Sequence, residues 1–263
     1  MLGMDQMLVF DRDAVRLHRD RAAATVEQVD DILRDAADRL LDRLDDTTRV
    51  FARALDVGGR GIVAPMLRAR GIETVACDLS HAMLGRSGAP AVVADEEFLP
   101  FAPASFDLIV ASLSLHWVND LPGALIQLRQ ALKPDGLFLA SLPALGTLAE
   151  LRTALTEAEA ELTGGVSPRV SPFPELRDCA HLLQRAGFAL PVADIEEITV
   201  LYADPFALVR DLRSAGETNA IRLRDKRVPP RALVPLALAA LPEADERFVA
   251  TLRMAVMTGW GVG

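Results

Sequence analysis

Three short apolar segments in the first half of this sequence each end in an acidic residue, and this arrangement limits the folds open to the chain. The segments close at Asp56, Asp78 and Asp95. Apolar runs that alternate with helical patterns are typical of a parallel sheet, whose strands present their carboxyl ends at a ligand-binding edge. Each acid taken alone could simply cap a following helix. Taken together, the three predict a shared ligand site.

The sequence between and after these acids predicts an α/β fold with a doubly wound sheet. The pattern holds five strand candidates within 90 residues, each separated from the next by a loop or helix candidate. The predicted strands are Ala52–Val57, Thr74–Cys77, Ala91–Val93, Phe106–Ser112 and Leu137–Ser141, and the predicted helices are Val63–Arg70, Ser80–Leu84 and Pro122–Ala131. Lys133–Gly136 carries a turn signal directly before the fifth strand.

The two ends of the chain look different from this central part. Apolar residues at helical spacing predict an amphipathic helix between Val26 and Leu44, and the arginine-rich stretch Phe10–Ala24 is interpreted as a second helix that folds over a neighbouring site. We expect an N-terminal helical cap at residues 1–48 and one domain at 49–263. The further predictions are helices at Thr147–Leu162, Leu176–Ala186, Pro205–Ser214 and Pro230–Leu241, a strand at Val192–Tyr202, and a strand or a helix at Arg247–Trp260.

Composition excludes several classes of protein. A net charge of −9 gives no support for a nucleic-acid partner. The four histidines and two cysteines lack metal-ligand spacing, so no metal is expected. No apolar run approaches the roughly 18 to 20 residues that cross a bilayer, and the start shows no secretory pattern. We expect a cytoplasmic protein without a membrane span.

The segment ALDVGGRG, residues 54–61, is the most informative motif. A strand that ends in an acid and runs through glycines into a helix lets the backbone approach a nucleotide closely. Asp78 follows Asp56 by 22 residues, the spacing at which an acid on the second strand meets ribose hydroxyls.

These segments resemble the core of class I S-adenosylmethionine-dependent methyltransferases. The likeness rests on ALDVGG, VACDLSHAML, VVADEEFLPF and LKPDGLFLAS. LSLHWVNDLPGAL, GGVSPRVSPF, LLQRAGF and SAGETNA resemble the branch that contains the mitochondrial complex I assembly factor known as an arginine hydroxylase, with its bacterial relatives. A more distant likeness is to the malonyl-carrier-protein O-methyltransferase of biotin synthesis.

The resemblance implies a Rossmann-like sheet of seven mostly parallel strands with C-terminal helical insertions, and S-adenosylmethionine as the cofactor. Val192–Tyr202 and Met254–Gly261 would be its sixth and seventh strands. Asp78 would bind the ribose, and Asp95 the adenine amino group. The other implied cofactor residues are Asp56, Gly58, Gly59, Leu79, Glu96, Ser112 and Leu113. The implied substrate-side residues are Ser114, His116 and Trp117.

One departure from the superfamily pattern concerns the glycine loop, where Arg60 and Ile62 stand at positions expected to hold glycine. Arg60 could block the methionine part of the cofactor, or it could turn outward while Gly59 and Gly61 supply the flexibility. The second alternative retains cofactor binding.

The leading functional hypothesis is an S-adenosylmethionine-dependent methyltransferase that acts on a small molecule or a protein side chain. The runner-up is a complex I assembly factor that hydroxylates an arginine of a complex I subunit or acts as a binding chaperone. A third hypothesis is a degenerate domain that binds no cofactor. The acceptor cannot be read from the fold, because one fold serves many functions.

Overall fold

A computed structural model of the protein describes residues 8–262. These residues form one α/β fold around a single sheet. Its strands are β1 (Arg53–Val57), β2 (Glu73–Asp78), β3 (Ala91–Val93), β4 (Phe106–Ser112), β5 (Leu132–Pro143), β6 (Ala189–Tyr202), β7 (Glu243–Ala244) and β8 (Arg247–Trp260). The helices are α1 (Arg12–Ala22), α2 (Asp30–Leu41), α3 (Val63–Ala69), α4 (His81–Leu84), α5 (Leu121–Ala131), α6 (Ala149–Thr163), α7 (Leu176–Ala186), α8 (Pro205–Ser214) and α9 (Leu233–Ala239).

The strand order is β3-β2-β1-β4-β5-β8-β6, and β7 pairs with the outer part of β8. Strands β1 to β5 pair in parallel, whereas β8 runs antiparallel to both β5 and β6. The predicted doubly wound, mostly parallel sheet is confirmed, and the two-residue β7 is an addition to its seven strands. The order reverses between β1 and β4, and such a switch point is where open α/β sheets bind ligands.

Helices cover both faces of the sheet. On one face, Leu128 of α5 and Leu183 of α7 pack against Phe138 of β5. On the other face, Leu40 of α2 and Leu67 of α3 belong to a second buried cluster with β4 and β5 side chains. Because the central strands are buried on both sides, their sequences are continuously apolar and not alternating.

The two predicted N-terminal helices are both present. The arginine-rich stretch forms α1, which begins after Asp11, whose side chain accepts a hydrogen bond from the Ala14 backbone N–H at 3.1 Å. The predicted helix between Val26 and Leu44 is shorter than expected, because 3₁₀ turns at Val26–Val29 and Asp42–Leu44 flank α2. The domain division at residue 48 remains a prediction.

The fifth strand begins earlier than predicted, and the expected turn before it is wrong. Residues 133–136 lie inside β5 as an irregularity, where pairing with β4 shifts from Leu132 opposite Phe106 to Leu137 opposite Leu108. Asp135 adopts a φ of +56° in this stretch. The Pro and Gly signals therefore mark a distortion within the strand and not its start.

Arg247–Trp260 is a strand, which resolves the open alternative. The strand β8 lies between β5 and β6 and is paired along both edges. Successive residues of its inner half, Met254 to Met257, contribute alternately to the clusters on the two sheet faces. Burial on both faces removes the alternation that would have identified a strand from the sequence.

A third apolar cluster lies outside the two sheet faces. It joins α6, α8 and α9 to the outer ends of β6 and β8, with Leu151, Leu208, Leu238 and Tyr202 among its members. The predicted helix Pro230–Leu241 is confirmed in its central part only, as α9. These helices stand over the carboxyl-end edge of the sheet and form the outer wall of the site described next.

Candidate active site

Asp56 is the penultimate residue of the buried strand β1 and fixes the start of α3. Its Oδ2 accepts a hydrogen bond from the Ala64 backbone N–H at 3.0 Å. The carboxylate is fully buried. Burial raises the pKa of Asp56 to about 7, and the nearby charge of Asp78 acts in the same direction. Asp56 therefore organises the loop between β1 and α3 from beneath.

The glycine loop above Asp56 is packed too closely for larger side chains. A Cβ atom added to Gly58 would lie 2.7 Å from the Cβ of Ser114, and one added to Gly59 would lie 2.2 Å from Asp56 Oδ1. Gly58 and Gly61 also adopt positive φ values of 67° and 79°. The loop thus requires glycine for space at Gly59, and for both space and backbone conformation at Gly58 and Gly61.

Gly59→Ala is expected to lower the free energy of unfolding by about 1 to 3 kcal/mol, because the short, buried Asp56 side chain cannot move away without losing its contact with α3. Gly165→Ala is the matched control, since nothing lies within 4 Å of its added Cβ. Urea unfolding of both variants checks the prediction. Equal stabilities of the two variants would contradict it.

Arg60 turns away from the glycine loop and reaches across to the chain after α8. Its Nη1 donates to the Leu113 carbonyl at 2.9 Å and its Nε to the Ala215 carbonyl at 3.2 Å, while Nη2 contacts Glu217. Its side chain is only 2% exposed. Burial lowers the pKa of Arg60, and the Glu217 carboxylate opposes that effect. The Arg60 side chain thus leaves the loop without turning outward, because it stays buried against Leu113 and Glu217.

Asp78 is buried at the end of β2, and one of its two carboxylate oxygens is already hydrogen-bonded within the chain. Oδ1 accepts from the Ser80 backbone N–H at 2.7 Å and faces Arg19 Nη1 at 3.4 Å. Oδ2 is buried and has no hydrogen-bond partner among residues 8–262. Burial raises the pKa of Asp78, whereas Arg19 lowers it. Leu79, the next residue, packs on the cluster that contains Trp117.

Helix α1 lies over this edge of the sheet, as the sequence predicts, and inserts two arginines among the acids. Arg12 Nη2 contacts Asp95 Oδ1 at 2.6 Å and also pairs with Glu96. Arg19 Nη1 lies 2.8 Å from Glu96 Oε1. Burial alone would raise the pKa of Glu96, but Arg19 and Arg12 hold it at about 2. Asp78 and Glu96 therefore face one buried guanidinium.

The end of β4 forms the next wall of the site. Ser112 is its last residue, and the Leu113 backbone N–H donates to the Ser141 carbonyl at 2.8 Å. Ser114 contributes its carbonyl to Arg19 at 3.2 Å. Its Oγ is buried and has no partner in the described part of the chain. This wall separates the acids around Arg19 from the residues described next.

His116 and Trp117 meet at a single carboxylate. His116 Nε2 lies 2.7 Å from Glu217 Oε2, and Trp117 Nε1 donates to the same oxygen at 2.7 Å. Arg60 occupies the other oxygen of Glu217. Although burial would raise the pKa of Glu217, His116 and Arg60 hold it well below its usual range. Glu217 therefore stays ionised.

A cavity of about 360 Å³ opens beside this carboxylate. Its polar end is formed by Arg60, His116, Trp117 and Glu217, and its remaining wall comes mainly from the third apolar cluster. The volume falls within the range of small-molecule sites. Within residues 8–262, no helix is long and apolar enough to cross a membrane, and no His, Cys, Asp or Glu group could hold a metal ion.

The structure brings all the predicted site residues to one edge of the sheet, and it adds three that the sequence interpretation did not single out as site residues. These are Arg12, Arg19 and Glu217. The arginine-rich composition of Phe10–Ala24 was a usable signal for the first two. Glu217 gave no such signal beyond its place in the SAGETNA segment.

Comparison with known proteins bears on this site. Residues 26–191 match the family described as Methyltransferase domain. The protein named Arginine-hydroxylase NDUFAF5, mitochondrial, from Danio rerio is 40% identical over 97% of this chain and 83% of its own length. The malonyl-acyl-carrier-protein O-methyltransferase of Halorhodospira halophila is 35% identical over 96% of this chain and 89% of its own. These matches confirm the resemblance that the motifs predict.

A solved structure supports the fold. The crystal structure of YcgJ from Bacillus subtilis matches with a TM-score of 0.59, covering 86% of this chain and 99% of that one. Only 15% of the residues are identical, so this likeness shows the fold alone.

Proposed function

Because this chain belongs to the methyltransferase-domain family, we propose that it binds S-adenosylmethionine at the carboxyl ends of β1 to β4 and transfers the methyl group to an acceptor, a small molecule or a protein side chain. The observation that carries the proposal is the free oxygen of Asp78. A buried carboxylate oxygen without a partner costs about 1 to 3 kcal/mol, which a ligand hydroxyl would recover.

The residues around Asp78 suit the remaining parts of this cofactor. The Arg19 guanidinium, 3.5 Å from the Cβ position of Gly58, is a cation suited to a carboxylate such as that of the methionine moiety. Asp95 is 24% exposed and still reachable beside Arg12, so it remains our candidate for the adenine amino group. Asp56 and Gly59 would shape the loop beneath, and Leu79, Ser112 and Leu113 would complete the walls.

When bound, S-adenosylmethionine supplies a methyl group on a positively charged sulfur. The chain's task is then to hold the acceptor against that group and to exclude water. Positioning of this kind can supply most of the rate acceleration. His116 and Trp117 line the cavity, and the Trp117 carbonyl accepts a hydrogen bond from Arg12, so they are placed to orient the acceptor.

Calorimetric titration with S-adenosylmethionine and S-adenosylhomocysteine tests the cofactor assignment. Asp78→Asn is expected to weaken binding by about 1.5 to 3 kcal/mol, a factor of about 10 or more, because the ribose loses a charged hydrogen-bond acceptor. Asp107→Asn is the matched control, since Asp107 lies near the opposite end of its strand, bonded to the Arg53 backbone N–H. No binding at millimolar cofactor would overturn the proposal, and unchanged affinity in Asp78→Asn would refute the placement of the ribose.

A second candidate function follows from the relatives at about 40% identity, whose name is arginine-hydroxylase. On that reading the acceptor is an arginine side chain of a complex I subunit, and the protein assists complex I assembly. We propose the cytoplasm as the compartment, although these relatives are named mitochondrial.

Mass spectrometry of the modified product separates the two candidates, because methylation adds one carbon and two hydrogens whereas hydroxylation adds one oxygen. Deletion of the gene followed by an assay of complex I assembly tests the assembly role directly. Loss of assembled complex I together with an oxygen adduct on an arginine would favour the second candidate over the first.

A further inference from the structure

The cavity beside Glu217 is apolar over most of its wall. Leucines from three helices line it, with Val200 and Tyr202 of β6 behind them. The leucines are Leu151 and Leu155 of α6, Leu208 and Leu212 of α8, and Leu233 and Leu238 of α9. An occupant would therefore gain mainly from burial of its own apolar surface.

The charged groups on the cavity wall are almost all engaged by the chain itself. Arg60 and Glu217 pair with each other, Arg169 pairs with Glu159, and Asp211 faces the hydroxyl of Tyr202 and helps to raise its pKa, which burial raises most. Arg213 is the remaining one and is exposed to solvent. A charged occupant would find no buried free counter-charge among these residues.

Two cavity residues have a buried side-chain nitrogen without a hydrogen-bond partner in the described part of the chain, Arg169 Nε and His116 Nδ1, and of these only the imidazole nitrogen can accept. The His116 side chain is 3% exposed. The partner of its Nε2 is the ionised carboxylate of Glu217, which can only accept hydrogen bonds. Nε2 must therefore carry a proton, and in the neutral tautomer this leaves Nδ1 as a bare acceptor.

We infer that the cavity takes an apolar acceptor molecule with one O–H or N–H group at its inner end, and that His116 Nδ1 accepts a hydrogen bond from this group. Glu217 is the positioning residue that fixes the ring and its tautomer. The link to methyl transfer rests on the proposed function, whereas the binding preference itself does not.

In the transfer, the bond between the acceptor heteroatom and its hydrogen breaks as the bond to the methyl carbon forms. The proton moves to His116 Nδ1, which gains one positive charge. Were S-adenosylmethionine bound, the positive charge that it gives up with the methyl group would equal the one that His116 gains, so the total charge would be unchanged. The imidazolium formed in this way would face the negative charge of Glu217 at 2.7 Å.

Binding of two isomeric probes to the full chain, without cofactor, tests the inference. 1-Hexanol can donate a hydrogen bond to Nδ1, but methyl pentyl ether, which has the same atoms, cannot. We expect hexanol to bind the wild type about two- to tenfold more tightly than the ether, the range for one neutral hydrogen bond. In His116→Phe the preference should disappear, while in His181→Phe, a histidine outside this cavity, it should persist.

Equal binding of the two isomers to the wild type would overturn the inference. So would tighter binding of hexylguanidinium than of hexanol, since a carboxylate and not Nδ1 would then select the ligand. If His116→Phe fails to fold, imidazole ¹⁵N chemical shifts of the wild type decide the matter, with protonated Nε2 and bare Nδ1 expected. If the preference for hexanol is absent but S-adenosylmethionine binds, only the acceptor class is rejected. If the preference is present but S-adenosylmethionine does not bind, only the proposed function is rejected.

Discussion

Replacing Glu217 with leucine is expected to lower the free energy of unfolding by about 3 to 5 kcal/mol, the cost of leaving one member of a buried ion pair without its partner. Arg60 would keep its charge in a place where its side chain is 2% exposed, with only two backbone carbonyls as acceptors. The Trp117 Nε1 and His116 Nε2 groups would lose their shared acceptor as well. Chemical denaturation of the purified variant measures the loss.

The double variant Arg60→Gly/Glu217→Leu identifies the cause. Arg60 has a φ of +50°, which glycine adopts without strain, and the double variant removes the stranded charge. We expect it to be more stable than the sum of the two single losses, with a coupling of about 0.5 to 3 kcal/mol. Glu161→Leu, on an exposed position of α6, should change stability by no more than about 0.5 kcal/mol. Additive losses would contradict the role assigned to the pair.

The sequence predicts the acid side of the site well because strand ends are encoded locally. Asp56, Asp78 and Asp95 each follow an apolar run, and in a parallel sheet such positions must converge at one edge. The sheet and most of its helices follow from the same local patterns. Periodicity left β8 open between a strand and a helix because both of its faces are buried, and only the resemblance implied a strand at Met254–Gly261.

The cation side of the site could not be predicted in the same way. An arginine on a charged helix such as α1 is normally solvated, and only the packing of α1 over Glu96 buries Arg19. The contact between Arg60 and Glu217 joins residues 157 positions apart, so no local pattern contains it. Long-range pairing of charges depends on the finished fold, which is why the sequence could not place the Arg60 side chain.

Arg19→Met should cost about 3 to 5 kcal/mol of unfolding free energy, because Glu96 and Asp78 would face each other in the protein interior with their common counter-charge removed. Both carboxylates are at most 3% exposed, and the arginine itself is 1% exposed. Methionine keeps much of the aliphatic stem and so limits the loss of packing. Arg12 would still pair with Glu96 in this variant. Asp78 would gain no such counter-charge, because Arg12 pairs with Asp95, Glu96 and Glu97 and not with Asp78.

Arg16→Met on the same helix is the matched control, because Arg16 and its partner Asp13 are 55% and 93% exposed. Such a surface pair contributes only about 0 to 1 kcal/mol. Adding Glu96→Gln to Arg19→Met should recover part of the loss, since the remaining acid, Asp78, would no longer face a second negative charge. Urea unfolding of the wild type and these three variants checks this order of stabilities. If Arg19→Met were as stable as Arg16→Met, the guanidinium could not be the group that stabilises these two buried acids.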